Sequence, residues 1–246
     1  MADLISDNYT LLQVISRFGL SLGFGDKTVK EVCEMNQVDC RTFLAVVNFV
    51  EEGFSRMNEA ESLSVPSLVD YLRQAHSYFL DFALPVIRRK LIESIDCSKS
   101  DEVAFLILRF FDDYVCEVKR HMEYEEKTVF KYVDDLLHNH PSKNYQISVF
   151  SKHHDLVSEK LTELKNISIK YCPPKANKNL LNAALFDIYI CEEGLESHCK
   201  IEDYLFFRGF DILQTAYFEG KCLQIIKNRN RIIVFAQCRR VNEGID

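Results

Sequence analysis

The residues of this chain best suited to chemistry are two H-x-x-x-E pairs, His121 with Glu125 and His198 with Glu202. Residues four apart in an α-helix project from one face, so each pair presents an imidazole and a carboxylate toward one point. Both faces are otherwise apolar. Around His198 the inward series reads Leu181, Leu185, Ile188, Cys191, Leu195, His198, Glu202, Leu205. Polar groups set in such a stripe are costly to bury unless something satisfies them, and a metal ion would do so. One pair of this kind arises readily by chance; two on core-facing positions of different helices do not. The competing reading is a plain helical bundle in which buried acids and imidazoles satisfy one another.

Two further segments each add a histidine. His76 is the only histidine of its segment and follows Leu72 by four residues. The other segment offers adjacent His153 and His154. The series Ile147, Phe150, His154, Val157, Leu161, Leu164 is apolar throughout, whereas the series through His153 meets Lys160, a wet-face residue. Periodicity therefore favours His154 and leaves His153 at the surface or just outside the site; whether it contributes stays open. Four imidazoles and two carboxylates without a thiolate suit iron better than structural zinc. Six protein ligands exceed what one tetrahedral ion takes, and Glu125 and Glu202 can each bridge a metal pair. The expectation is two non-haem irons per chain with an oxo or hydroxo bridge, cycling between ferrous and ferric states and open to O2 or NO. His138 and His140 precede Pro141 at a helix end and are read as non-ligands.

These residues require long helices to carry them. Four such patterns come after a polar linker at 55–66. The first opens at Pro66-Ser67-Leu68-Val69-Asp70, with Ser67 as the expected cap, and Pro85 is expected to kink it. The second opens near Ser100 and carries Ile107, Phe110, Tyr114, Val118, His121, Glu125 and Thr128 on one face. The third spans about 144–171, and the fourth begins near Asn177 and reaches at least Phe210. Short polar connections between amphipathic helices predict antiparallel neighbours in an up-down bundle over 67–216. Before it, residues 1–54 read as three short helices, the last capped by Asp39 and ended by Gly53. After it, 217–246 form a basic extension containing the β-prone run Ile232-Ile233-Val234-Phe235, expected to be loosely ordered. The fold class is all-α.

Composition narrows the function classes. With only eight Gly and five Pro, long helices are favoured over a turn-rich β fold. The net charge of −7 argues against broad binding to nucleic acid. No apolar run approaches the roughly 18 residues of a membrane span, and the N-terminus lacks a signal core, so a cytoplasmic chain is expected. The nine scattered cysteines include no C-x-x-C and read as reduced thiols. No nucleophile elbow, P-loop or dinucleotide fingerprint is present, so nothing names an enzyme, though weak reduction of NO or peroxide is compatible with such a centre.

Three stretches resemble a known family: His121-Met122-Glu123-Tyr124-Glu125-Glu126, His154-Asp155-Leu156, and His198-Cys199-Lys200-Ile201-Glu202-Asp203-Tyr204-Leu205-Phe206. They look like the hemerythrin-like domain of the di-iron proteins that repair iron–sulfur clusters, the RIC family. That resemblance implies His76, His121, His154 and His198 as ligands, with Glu125 and Glu202 as bridges. It extends to Asn8-Tyr9 through Phe18-Gly19-Leu20 and Thr28 to Cys33, similar to the family's small N-terminal helical domain. That domain usually carries two consecutive cysteines, whereas this chain has Gly23-Phe24-Gly25-Asp26 in the matching stretch. The implied function is repair of, or iron supply to, iron–sulfur clusters damaged by nitrosative or oxidative stress. The implied partners are damaged iron–sulfur proteins. A sensor of O2 or NO would use the same ligands, and a homodimer is compatible with either.

Overall fold

The structure, a computed structural model, describes residues 1–53, 63–95, 102–138, 154–172, 176–218, 223–228 and 231–236. Among the described residues it is all-helical apart from one C-terminal hairpin. The helices are α1 (Ala2–Asp7), α2 (Leu11–Arg17), α3 (Val29–Met35), α4 (Cys40–Glu52), α5 (Val65–Ser77), α6 (Leu84–Ser94), α7 (Glu102–Tyr124), α8 (Lys131–Leu137), α9 (His154–Tyr171), α10 (Lys178–Ile201) and α11 (Phe207–Phe218). Among the described residues, three π-helical turns join consecutive helices without a break: Tyr78–Ala83 between α5 and α6, Glu125–Phe130 between α7 and α8, and Glu202–Phe206 between α10 and α11. Among the described residues, no helix is long and apolar enough to cross a membrane.

The chain divides into two compact units. One comprises Met1–Gln74, Val133–Pro141 and Lys200–Asp246. Its N-terminal helices start and stop where the side chains dictate. Thr28 and Glu31 form a reciprocal capping box on α3, and the Asp39 carboxylate accepts from the Thr42 amide at 2.9 Å to cap α4. Gly19, at φ 71°, ends α2 in the left-handed conformation that glycine adopts freely. Its neighbour Leu20 returns its amide to the Ile15 carbonyl at 3.0 Å. Leu11, Ile15, Val32, Phe43 and Val46 are buried with Leu68, Tyr71 and Leu72 of α5. Phe18 packs on Phe43 and on Tyr71 at centroid distances of 5.3 and 4.9 Å. The buried Arg17 guanidinium donates to the Tyr71 hydroxyl at 3.2 Å.

The expected cap of α5 is displaced. Ser64, rather than Ser67, occupies that position: its hydroxyl accepts from the Ser67 amide at 3.3 Å, so the helix begins at Val65, inside the stretch read as linker. At the other end the last helix, expected to reach at least Phe210, runs to Phe218. The β-prone run lies in a strand, β2 (Arg231–Ala236), paired antiparallel with β1 (Leu223–Asn228), with Ile225 opposite Val234. The run finds its partner in Gln224-Ile225-Ile226-Lys227, which a reading of this tail as loosely ordered overlooks.

The other unit, Ala75–Tyr132 with Ser142–Cys199, is a four-helix up-down bundle. Phe79, Ile87, Leu91, Ile107, Phe111, Tyr114, Val118, Leu161, Leu164, Ile188 and Leu195 fill its core. Ion pairs link neighbouring helices in a ring. Arg88 grips Asp112 with two nitrogens, at 2.7 and 3.0 Å; Lys160 meets Glu117 at 2.5 Å; Lys165 meets Glu192; and Lys90 meets Asp187 at 2.5 Å. The pairings run in opposite senses, His76 meeting Glu125 while Arg88 meets Asp112, so the α5–α6 path and α7 are antiparallel. Asn177 caps α10, its side chain accepting from the amides of Asn179 and Leu180.

Pro85 does not end its helix. The chain passes through the π turn at Tyr78–Ala83, where the Leu84 amide bonds the Phe79 carbonyl five residues back. A proline ring clashes with the carbonyl four residues before it. The wider turn relieves that clash, and α6 continues to Ser94.

Candidate metal centre

The two H-x-x-x-E pairs fall where helix periodicity requires. His121 is on the last turn of α7 and Glu125 opens the π turn after it; His198 is on the last turn of α10 and Glu202 opens the next π turn. His76 is on the last turn of α5, two residues before the remaining π turn. Each helix that carries one of these ligands therefore widens at, or just after, it. π-turns of this kind concentrate at functional sites because the extra residue re-aims the side chains around it.

His76, Glu125, His198 and Glu202 converge, with one ligand atom of each lying within 4.8 Å of the others, and all four are buried. The Glu125 carboxylate is fully buried and turns each oxygen to a different imidazole: Oε2 lies 2.9 Å from His76 Nε2 and Oε1 lies 3.0 Å from His121 Nε2. His121 thus borders the group without being one of its four members. His154 is the first residue of α9, and its side chain lies outside the described residues, as do His153 and His140. His138 stands apart at the end of α8, its ring nitrogen 2.7 Å from the Asp134 carbonyl.

Packing holds the rings. Phe130 stacks on His76 at 5.5 Å and an interplanar angle of 16°. The His76 and His198 rings meet edge to face at 5.1 Å, and Phe79 flanks His198 at 6.0 Å. Burial opposes protonation of His76, but hydrogen bonds to Glu125 and Glu126 outweigh it, and the imidazole's pKa is raised above its ordinary value.

Residue spacing does not single out Glu126 as a site residue. Its Oε1 lies 3.0 Å from His76 Nδ1, on the side of the ring opposite Glu125. In a regular α-helix consecutive residues point about 100° apart, so spacing alone would not bring both carboxylates to one imidazole. Only the π turn beginning at Glu125 makes it visible.

The donor set fits a cation. Two buried carboxylates and their imidazoles each lose several kcal/mol of hydration, roughly, when taken from water. Positive charge at their common point offsets this, and a divalent or trivalent ion supplies more of it than a shared proton. A carboxylate with one oxygen toward each of two imidazoles also has the form of a bridging ligand. No thiolate joins the group among the described residues, so oxygen and nitrogen donors define it. Together these features fit a di-iron site.

Comparison with curated proteins gives no match. The family model described as the hemerythrin HHE cation binding domain matches residues 67–209, the span that carries all six candidate ligands. With the helical bundle and the His–Glu group inside that span, the chain belongs to the hemerythrin HHE cation binding domain family.

Proposed function

We propose that the chain holds two non-haem irons with an oxo or hydroxo bridge. The ligands would be His76, His121, His154 and His198, with Glu125 and Glu202 bridging. We further propose that it is a member of the RIC family whose N-terminal domain lacks the cysteine pair. Its role would be repair of, or iron supply to, iron–sulfur clusters damaged by nitrosative or oxidative stress. Bound iron would supply a ferrous–ferric couple and open coordination positions; the protein supplies the dry cavity and the donors.

The observation that carries the supply reading is the uneven burial of the site. His76, Glu125, His198 and Glu202 are closed off from water, whereas His121 is 13 % exposed and Glu126 is 36 % exposed. Water reaches the donor set from that edge. A metal held in part by His121 can exchange at that edge without opening the core, as a supplier of iron requires.

The deciding experiment loads the protein with ferrous iron without oxygen and adds it to an iron–sulfur enzyme inactivated by NO. Recovery of enzyme activity, with equivalent loss of iron from this chain, is expected. No recovery above a ferrous-salt control would refute repair and supply. A sensor reading is favoured by one observation: the stretch Gly19–Thr28 contains no cysteine. Under it, iron is retained on exposure to NO and the protease-cleavage pattern changes.

A further inference from the structure

We propose that Glu126 is a positioning residue for the metal centre, fixing His76 in the form that carries its proton on Nδ1 and offers Nε2 inward. The inference rests on the metal reading of the buried group and adds to it a residue outside the six candidate ligands.

His76 lies between two consecutive carboxylates. Its Nε2 faces the fully buried Glu125 at 2.9 Å, and its Nδ1 faces the half-exposed Glu126 at 3.0 Å. The inner nitrogen is therefore the one directed into the group of candidate ligands. A neutral imidazole has one N–H and one lone pair, so ligation through Nε2 requires the proton on Nδ1. Phe130 stacks on the ring at 5.5 Å and fixes its plane. Stacking does not distinguish one nitrogen from the other; an acceptor at Nδ1 does. A carboxylate in that place selects the tautomer and makes the inner nitrogen a stronger donor. Glu126 reaches it because the π turn starting at Glu125 brings two adjacent carboxylates to one ring.

The test compares wild type, Glu126→Ala and Glu126→Gln. Affinity for Co(II) is measured by chelator competition, and the His76 ring by ¹⁵N NMR of the Zn(II)-loaded protein. Truncating Glu126 is expected to lower Co(II) affinity about 10- to 100-fold. In that variant the Nδ1 proton of His76, slowly exchanging in wild type, should exchange rapidly with water. Glu126→Gln, which keeps an acceptor oxygen, should recover most of the affinity and the slow proton. A role limited to helix stability would lower the metal-free melting temperature and leave the ring proton unchanged. Wild-type affinity and an unaltered Nδ1 proton in Glu126→Ala would overturn the proposal while leaving the metal site standing. Coordination of His76 through Nδ1 would overturn it too. A wild type that binds neither Co(II) nor Zn(II) would instead overturn the metal reading, and this proposal with it.

Discussion

Glu125 separates a metal centre from a mere buried ion pair, because it serves both in different ways. Its carboxylate meets His76 at 2.9 Å and His121 at 3.0 Å. At an effective dielectric of about 20, one such contact with a charged imidazole is worth roughly 6 kcal/mol before desolvation. Desolvation removes most of that gain, but deleting one partner strands the other, and breaking a buried pair costs about 3–5 kcal/mol. Glu125→Ala should therefore destabilise the metal-free protein by about that amount, whatever the site is for. Glu125→Gln keeps the shape and one acceptor oxygen and should fold far closer to wild type. The metal-dependent stability gain is what distinguishes the readings. A metal at 100 times its dissociation constant stabilises the fold by about 2.7 kcal/mol, which for a chain of this size raises Tm by about 5–10 °C. The assay is thermal unfolding with and without ferrous iron under nitrogen, for wild type and Glu125→Gln. Wild type should show the full rise and the glutamine variant almost none. An equal rise in both would refute the assignment of Glu125 as a ligand.

Two other substitutions test the surrounding argument. The Tyr114 hydroxyl is buried in the bundle core with no hydrogen-bond partner among the described residues, so Tyr114→Phe should stabilise the fold by about 1 kcal/mol in chemical denaturation. Burial, helped by Cys191, Cys199 and Glu192, pushes its pKa well above the ordinary 10.0. The folded chain thus keeps a proton that the unfolded chain releases. The stability linked to that proton is full below about pH 10 and is lost as pH rises further. The variant should lose stability less steeply above pH 10, by up to one proton, and an unchanged slope would contradict the account. In the N-terminal helices, Asp39→Ala removes the cap that receives the Thr42 amide and should cost about 1 kcal/mol. A change below a few tenths would mean that water replaces the cap.

Much of the site is legible in the order of residues alone. His121 with Glu125 and His198 with Glu202 stand out because helix geometry turns a spacing of four into one face, and the apolar residues around them mark that face as inward. Helix ends at Asp39, Gly53 and Asn177 are legible because capping is chemistry local to a few residues. The cap at Ser64 is less so, since Ser64 and Ser67 are both good caps and only the helix start decides between them. For the tail, the β-prone run is visible, but its pairing depends on a second segment.

The amino-acid sequence by itself determined the helical class, the inward stripes and the chemical type of the donors, because each depends on residue type and short-range periodicity. Tertiary structure alone decided that His76 and His198 stand 5.1 Å apart, that Glu125 divides its oxygens between two helices, and that Glu126 closes on the far side of His76. The first two follow from packing between helices, and for Glu126 the physical reason is the π turn that opens at Glu125. One extra residue in a helical turn shifts the register of every residue after it, and nothing in an i, i+4 pattern records the shift. It persists because packing across the bundle, and not local propensity, stabilises that turn.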